Sequence, residues 1–175
     1  MALLLVGFIP MLILAIAVFF DSGWPVLIRQ RRIGQYGAEY RMWKFRTLAK
    51  DTPQMAKSEL GAEQMRATRL GHFLRRYSLD ELPQLVNVLL REMSIVGPRP
   101  ALFTQRELIE MRAANGVLRL RPGLTGLAQV NGREDLELAE KVALDLEYAR
   151  SMTLAGDVKI LARTLGAVVR PRGSF

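Results

Sequence analysis

Two adjacent carboxylates, Asp80 and Glu81, lie in the run Ser78-Leu79-Asp80-Glu81-Leu82-Pro83-Gln84-Leu85, with arginines on either side of it. An ionised aspartate can attack phosphorus, and a neighbouring glutamate can move a proton or help hold a metal. A migrating phosphate needs cations around it, and guanidinium suits that work because it donates two coplanar hydrogen bonds. Arg75 and Arg76 precede the pair, while Arg99 stands between Pro98 and Pro100, whose rings restrict the backbone that presents it. Lys44 and Arg46 add charge upstream. Magnesium binds through one or two carboxylates plus substrate phosphates, so Asp80 and Glu81 are its candidate ligands.

Plainer readings stand beside these. A serine followed three residues later by a glutamate is the capping-box pattern, so Ser78 and Glu81 also read as a helix start. Asp80 would then lie where the helix dipole keeps an anion ionised, and Pro83 would sit beyond the first turn and clash with Leu79. Pro-Arg-Pro alone is equally a rigid surface turn. The motifs Arg121-Pro122-Gly123-Leu124-Thr125-Gly126 and Gln129-Val130-Asn131-Gly132-Arg133 suit loops where backbone approaches a ligand. Gln129, Asn131 and Arg133 could read polar edges there, although turn chemistry explains the glycines as well.

The elements that must position these residues begin with an uncharged apolar run at residues 1–20. A straight helix of that length reaches roughly 30 Å, enough to cross a bilayer core. Pro10 falls in its middle, removes a donor and clashes with the preceding turn, so a kink or break is expected there, and a bent segment can enter and leave on one side. There is no basic leader, and Phe19-Phe20-Asp21-Ser22 is a poor cleavage site, which argues against a signal peptide. A buried core helix is the other option. Trp24 followed by Arg29, Arg31 and Arg32 suits the interface of an anionic cytoplasmic leaflet and places the body on that side. The division is thus a membrane-embedded segment at 1–23 and a membrane-associated catalytic domain at 24–175.

Residues 26–28 and 40–46 read as two extended stretches joined through Gly34 and Gly37, a small β-hairpin. Residues 50–64 have no clear period and suit a surface loop. Helices are expected at 68–76, 78–90 and 103–114, and amphipathic ones along Ala139, Val142, Ala143, Leu146 and Ala149, then Val158, Leu161, Ala162, Leu165, Val168 and Val169. Lys159, Arg163 and Arg170 accompany the last stripe, which could cover the core or lie in the membrane interface. The fold class is α+β and predominantly helical.

With 175 residues, one compact domain is the expectation, and a net charge of +8 asks for an anionic partner. The absence of cysteine and a single histidine, His72, exclude a disulfide scaffold and a thiolate or multi-histidine metal site, leaving hard oxygen-ligated ions. Aromatic residues are scattered through apolar contexts, so no stacking platform for nucleic acid is evident. Rival functions are a noncatalytic basic module for membrane surfaces or nucleic acid, and a magnesium-dependent phosphatase that would pass the phosphoryl group to water.

Lys44-Phe45-Arg46-Thr47, the run from Ser78 to Leu85, Met93-Ser94-Ile95-Val96-Gly97-Pro98-Arg99-Pro100 and the motifs of residues 121–133 together resemble, in order, the bacterial sugar transferase family, the monotopic phosphoglycosyl transferases. The resemblance covers nearly the whole chain. It implies a re-entrant N-terminal helix broken at Pro10, although only nine residues precede that proline where the family usually carries a longer, basic-started half. It implies that Asp80 attacks the β-phosphate of a UDP-sugar, releases UMP and holds the phosphosugar until polyprenyl phosphate takes it. Glu81 is implied to assist, through the lipid acceptor or magnesium, and Lys44, Arg75 and Arg99 to bind phosphate. No second enzymatic domain is implied, the expected location is the cytoplasmic face of the bacterial inner membrane, and a homo-oligomer is left open.

Overall fold

A computed structural model of the protein describes residues 2–49, 52, 67–132 and 136–169, without the side chains of 2–8. Helix α1 (Ala2–Ser22) runs through Pro10 as a single element. The expected break is therefore not an interruption of the helix, because a proline deletes one rung of the hydrogen-bond ladder and leaves the others. The helix stops where Gly23 adopts a φ of 73° and donates its N–H to the Phe19 carbonyl at 2.8 Å. Val18 turns inward to pack with Val26, Phe45 and Leu74, whereas Ile13 and Phe20 remain exposed. Among the described residues, no helix is long and apolar enough to cross a membrane.

The hairpin is present and longer than the sequence suggested. Strands β1 (Leu27–Ile33) and β2 (Glu39–Phe45) pair antiparallel, from Leu27 opposite Phe45 to Ile33 opposite Glu39. Their connection uses Gly34 and Gly37 as expected, with Tyr36 and Gly37 at positive φ. Arg46, just past β2, is buried and donates to the carbonyls of Ser22 and Gly23, fastening the hairpin to the C-terminal end of α1, where a cation complements the helix dipole.

Helix α2 (Arg69–Arg76) is capped by Thr68, whose hydroxyl accepts from the Gly71 N–H at 2.9 Å. The single helix expected at 78–90 is instead a 3-10 turn at Leu79–Glu81 followed by helix α3 (Gln84–Leu89). Pro83 separates the two, for the steric reason its position implied. Strands β3 (Ser94–Val96) and β4 (Gly123–Thr125) form a parallel pair that the sequence did not reveal, β4 falling in a stretch read as a loop. Three-residue strands carry too little alternation to be seen. Helix α4 (Arg106–Ala114) starts later than 103, since residues 103–105 make a turn in which Gln105 Oε1 accepts from the Leu102 N–H at 2.9 Å.

Helix α5 (Leu127–Asn131) follows, then α6 (Leu138–Arg150), which opens on a reciprocal Glu137–Glu140 capping box, and α7 (Leu154–Val169). Val96, Tyr148 and Ile160 form one apolar cluster and Ala101, Leu108 and Val142 another, so α4, α6 and α7 hold the β3–β4 layer behind the site. The architecture is α+β and predominantly helical. Residues 50, 51 and 53–64 of the expected surface loop, with Arg133 and Arg170, lie outside the described residues.

Candidate active site

Asp80 and Glu81 occupy a turn that the chain enters through Ser78, whose φ of 53° lies in the left-handed region. Ser78 makes no side-chain capping bond, so the capping-box reading of this motif is corrected: a left-handed residue cannot take the extended N-cap conformation that aims the hydroxyl at the following N–H groups. The turn leaves Asp80 6% exposed. Helix α2 ends beside it and delivers Arg75, β2 delivers Lys44, and the segment after β3 delivers Arg99.

The two carboxylates are held differently. Glu81 Oε1 accepts from Lys44 Nζ at 2.7 Å and from Arg99 Nη2 at 2.8 Å, with Arg99 Nη1 at 3.5 Å from Oε2. Burial pushes Glu81 up, but the Arg99 guanidinium and the Lys44 ammonium outweigh it and hold the carboxyl far below the usual range. Asp80 lies 3.8 Å from Lys44 Nζ and accepts no hydrogen bond from the described residues. Burial, reinforced by the Glu81 charge, pushes Asp80 up against the pull of Lys44, Arg75 and Arg99. The expectation that a helix dipole keeps Asp80 ionised is thus corrected, because this short turn has little dipole and burial dominates.

Lys44, Arg75, Asp80, Glu81 and Arg99 are therefore brought together. Arg75 acts on Asp80 through its charge, and its side chain makes no hydrogen bond or ion pair among the described residues, which leaves its guanidinium open to an anion. Asn131 is not part of this group: its amide donates to the Leu127 carbonyl at 2.8 Å and its Oδ1 accepts from Arg163 at 2.9 Å. The Gln129 amide is buried with neither end paired among the described residues. Arg133 lies outside the described residues.

Two residues that sequence reasoning passed over, Asn87 and Arg112, hold this geometry together with Arg32, whose expected place at a lipid interface is corrected because its side chain is buried. Asn87, fully buried on α3, accepts from the Trp43 N–H at 3.0 Å and donates to the Arg41 carbonyl at 2.9 Å, fixing β2 and hence Lys44 against the dyad. Its signal was a lone amide in the apolar run Leu85-Val86-Asn87-Val88-Leu89. Arg32 donates to the Pro100 carbonyl at 2.8 Å and Arg112 to the Arg99 carbonyl at 2.7 Å, so the Pro-Arg-Pro backbone is gripped from both sides. Arg112 is in turn paired with buried Asp145 at 2.6 Å. Both sit on otherwise apolar helix faces, beside Leu108 and Val142, and that placement was their signal.

Among the described residues, no three histidine, aspartate or glutamate side chains gather as a metal cage. Asp80, with no described hydrogen bond to its carboxylate, fits a magnesium site completed by diphosphate oxygens. Glu81 fits less well, since its Oε1 is already shared by two cations.

A carboxylate pair ringed by lysine and arginine is suited to moving a phosphorylated group, and comparison with known proteins agrees with this chemistry. The family model for bacterial sugar transferases matches residues 1–171, and the chain belongs to that family of enzymes. It is 40% identical over 189 residues to exopolysaccharide production protein ExoY of Rhizobium meliloti, covering 99% of this chain and 83% of that protein. It is 41% identical over 184 residues to the UDP-glucose:undecaprenyl-phosphate glucose-1-phosphate transferase of Caulobacter vibrioides, covering 99% of this chain and 68% of the other. The Escherichia coli protein of the same name is 41% identical over 159 residues, covering 87% of this chain and 34% of that one.

Proposed function

We propose that the protein transfers a sugar 1-phosphate from a UDP-sugar to a polyprenyl phosphate such as undecaprenyl phosphate, through a covalent phosphosugar on Asp80. The observation that carries this reading is the asymmetry of the dyad. Glu81 is saturated by Lys44 and Arg99, while the neighbouring Asp80 carboxylate is buried, close to three cations and without a described hydrogen bond. A carboxylate stripped of water and hydrogen bonds is a better nucleophile than a solvated one.

An oxygen of ionised Asp80 attacks the β-phosphorus of the UDP-sugar. The bond from that phosphorus to the bridging oxygen breaks, and UMP departs with the electron pair. A phosphate oxygen of the lipid then attacks the same phosphorus, the bond to Asp80 breaks, and the carboxylate is regenerated as the lipid diphosphosugar leaves. Arg75 and Arg99 balance the charge on the equatorial phosphate oxygens. Glu81, held ionised, is too weak a base to take a proton near neutral pH, so its part is to fix Lys44 and Arg99 in place. Magnesium, held by Asp80, would neutralise the diphosphate and ease UMP departure.

The lipid acceptor calls for a membrane, and the same reading puts α1 in the cytoplasmic leaflet of the bacterial inner membrane. Phe20 at 82% and Trp24 at 74% exposure favour it, as do Leu154, Val158 and Leu165 on α7. The test is to supply the protein, in membranes, with UDP-glucose, magnesium and undecaprenyl phosphate. UMP and a lipid-linked sugar should appear together with the native chain and neither with Asp80→Asn. Release of free sugar phosphate to water instead would favour a phosphatase.

A further inference from the structure

Both polar atoms of one side chain are left over by the site described above. Gln129 Oε1 and Nε2 are each buried with no hydrogen-bond partner among the described residues. A buried amide unpaired at both ends is costly, and native proteins retain such a group where something else supplies the partners. Asn131 offers the contrast, since its amide is satisfied by Leu127 and Arg163.

The place of this amide is fixed by two glycines. A Cβ on Gly126 would stand 2.7 Å from Gln129 Oε1 and 2.0 Å from the Gly97 carbonyl oxygen, so the amide lies against the β3–β4 crossing where no side chain fits. Gly97 is two residues ahead of Arg99, which grips Glu81 at 2.8 Å. Gln129 is therefore one short stretch of backbone from Arg99, one of the cations that would receive the diphosphate. The residue as a whole is half-buried, and turning its amide outward breaks no hydrogen bond.

An amide presents an acceptor and a donor side by side. A phosphate offers only acceptors and would satisfy Nε2 alone. The edge of uracil offers N3–H beside O4, which satisfies both atoms at once. We infer that Gln129 reads the uracil edge of the nucleotide and sets the preference for a uridine-linked donor. This rests on the UDP-sugar reading above, and it adds a base-recognising residue to the site.

The test measures binding of UDP and of N3-methyl-UDP to the full chain in nanodiscs, with thermal unfolding recorded in the absence of nucleotide. Wild type should prefer UDP by about tenfold or more, the scale of one or two hydrogen bonds in a desolvated site. Gln129→Met, similar in shape but without the polar atoms, should bind UDP about tenfold more weakly and treat the two nucleotides alike. Its unfolding midpoint should be unchanged or higher, because an unpaired buried amide has been removed. Gln129→Leu repeats the comparison if the methionine variant does not fold. A variant that retains wild-type UDP affinity, or still discriminates against the methylated base, overturns the inference. So does a lowered midpoint with unchanged affinity, which would mark an amide paired by internal water. A wild type that shows the base preference but transfers no sugar phosphate would defeat the proposed reaction and leave the role of Gln129 standing.

Discussion

Adjacent carboxylates normally titrate alike, and here the surroundings drive Asp80 up and Glu81 down. Such a split assigns different work to chemically similar groups. Since the attacking form of Asp80 is the carboxylate, UMP release should rise with pH across the elevated titration of that residue. Arg75 favours the charged form of Asp80, so Arg75→Ala should move the acidic limb to higher pH and lower the plateau by about ten- to a hundredfold. A pH profile of kcat/KM for UMP release checks the sign, and a limb that moves to lower pH would contradict it. The residue types of this site were legible in the sequence, including Lys44, Arg75 and Arg99. Their division of labour was not, because burial and the sharing of Glu81 between two cations depend on segments far apart in the chain.

At the scale of elements, the site depends on backbone held from behind. Arg112 pairs with Asp145 and also donates to the Arg99 carbonyl. Burial pushes Asp145 up despite the Arg112 charge, so the carboxylate depends on Arg112 for its pairing. Removing Arg112 alone, as Arg112→Leu, should cost about 3–5 kcal/mol in denaturant unfolding by stranding a buried carboxylate. The double variant Arg112→Leu with Asp145→Leu should regain most of that stability without regaining UMP release. Recovery of both would remove Arg112 from any role in presenting Arg99. A second element-level prediction concerns the β3–β4 crossing, where a Cβ on Gly126 would meet the Gly97 carbonyl at 2.0 Å. Gly126→Ala should destabilise by about 1–3 kcal/mol or more, read by the same unfolding experiment. Helices with a clear apolar stripe, α6 and α7, were legible in the sequence, as was the hairpin with its glycine turn. The β3–β4 pair was not, being too short for a period, and the 78–90 helix was overextended because its apolar run continues across Pro83.

Across the whole molecule, exposed apolar side chains on α1 and α7 accompany a net charge of +8. The sequence made the apolar character of residues 1–20 plain. It did not convey that Val18 and Arg46 also tie this helix to the catalytic hairpin. Apolar attachment and charge attachment respond oppositely to salt, since about 1 M salt shortens the Debye length to about 3 Å. Membrane fractions washed in such salt should keep the protein, whereas a basic module held by charge alone would be released. The central claim is the covalent step on Asp80, and intact mass spectrometry of the protein with UDP-glucose and magnesium, without lipid acceptor, tests it most directly. A mass increase of one hexose phosphate, absent in Asp80→Asn and discharged by undecaprenyl phosphate, is the predicted result. An Asp80→Asn protein that still acquires the adduct, or a native enzyme that turns over to lipid without ever carrying it, would contradict the account.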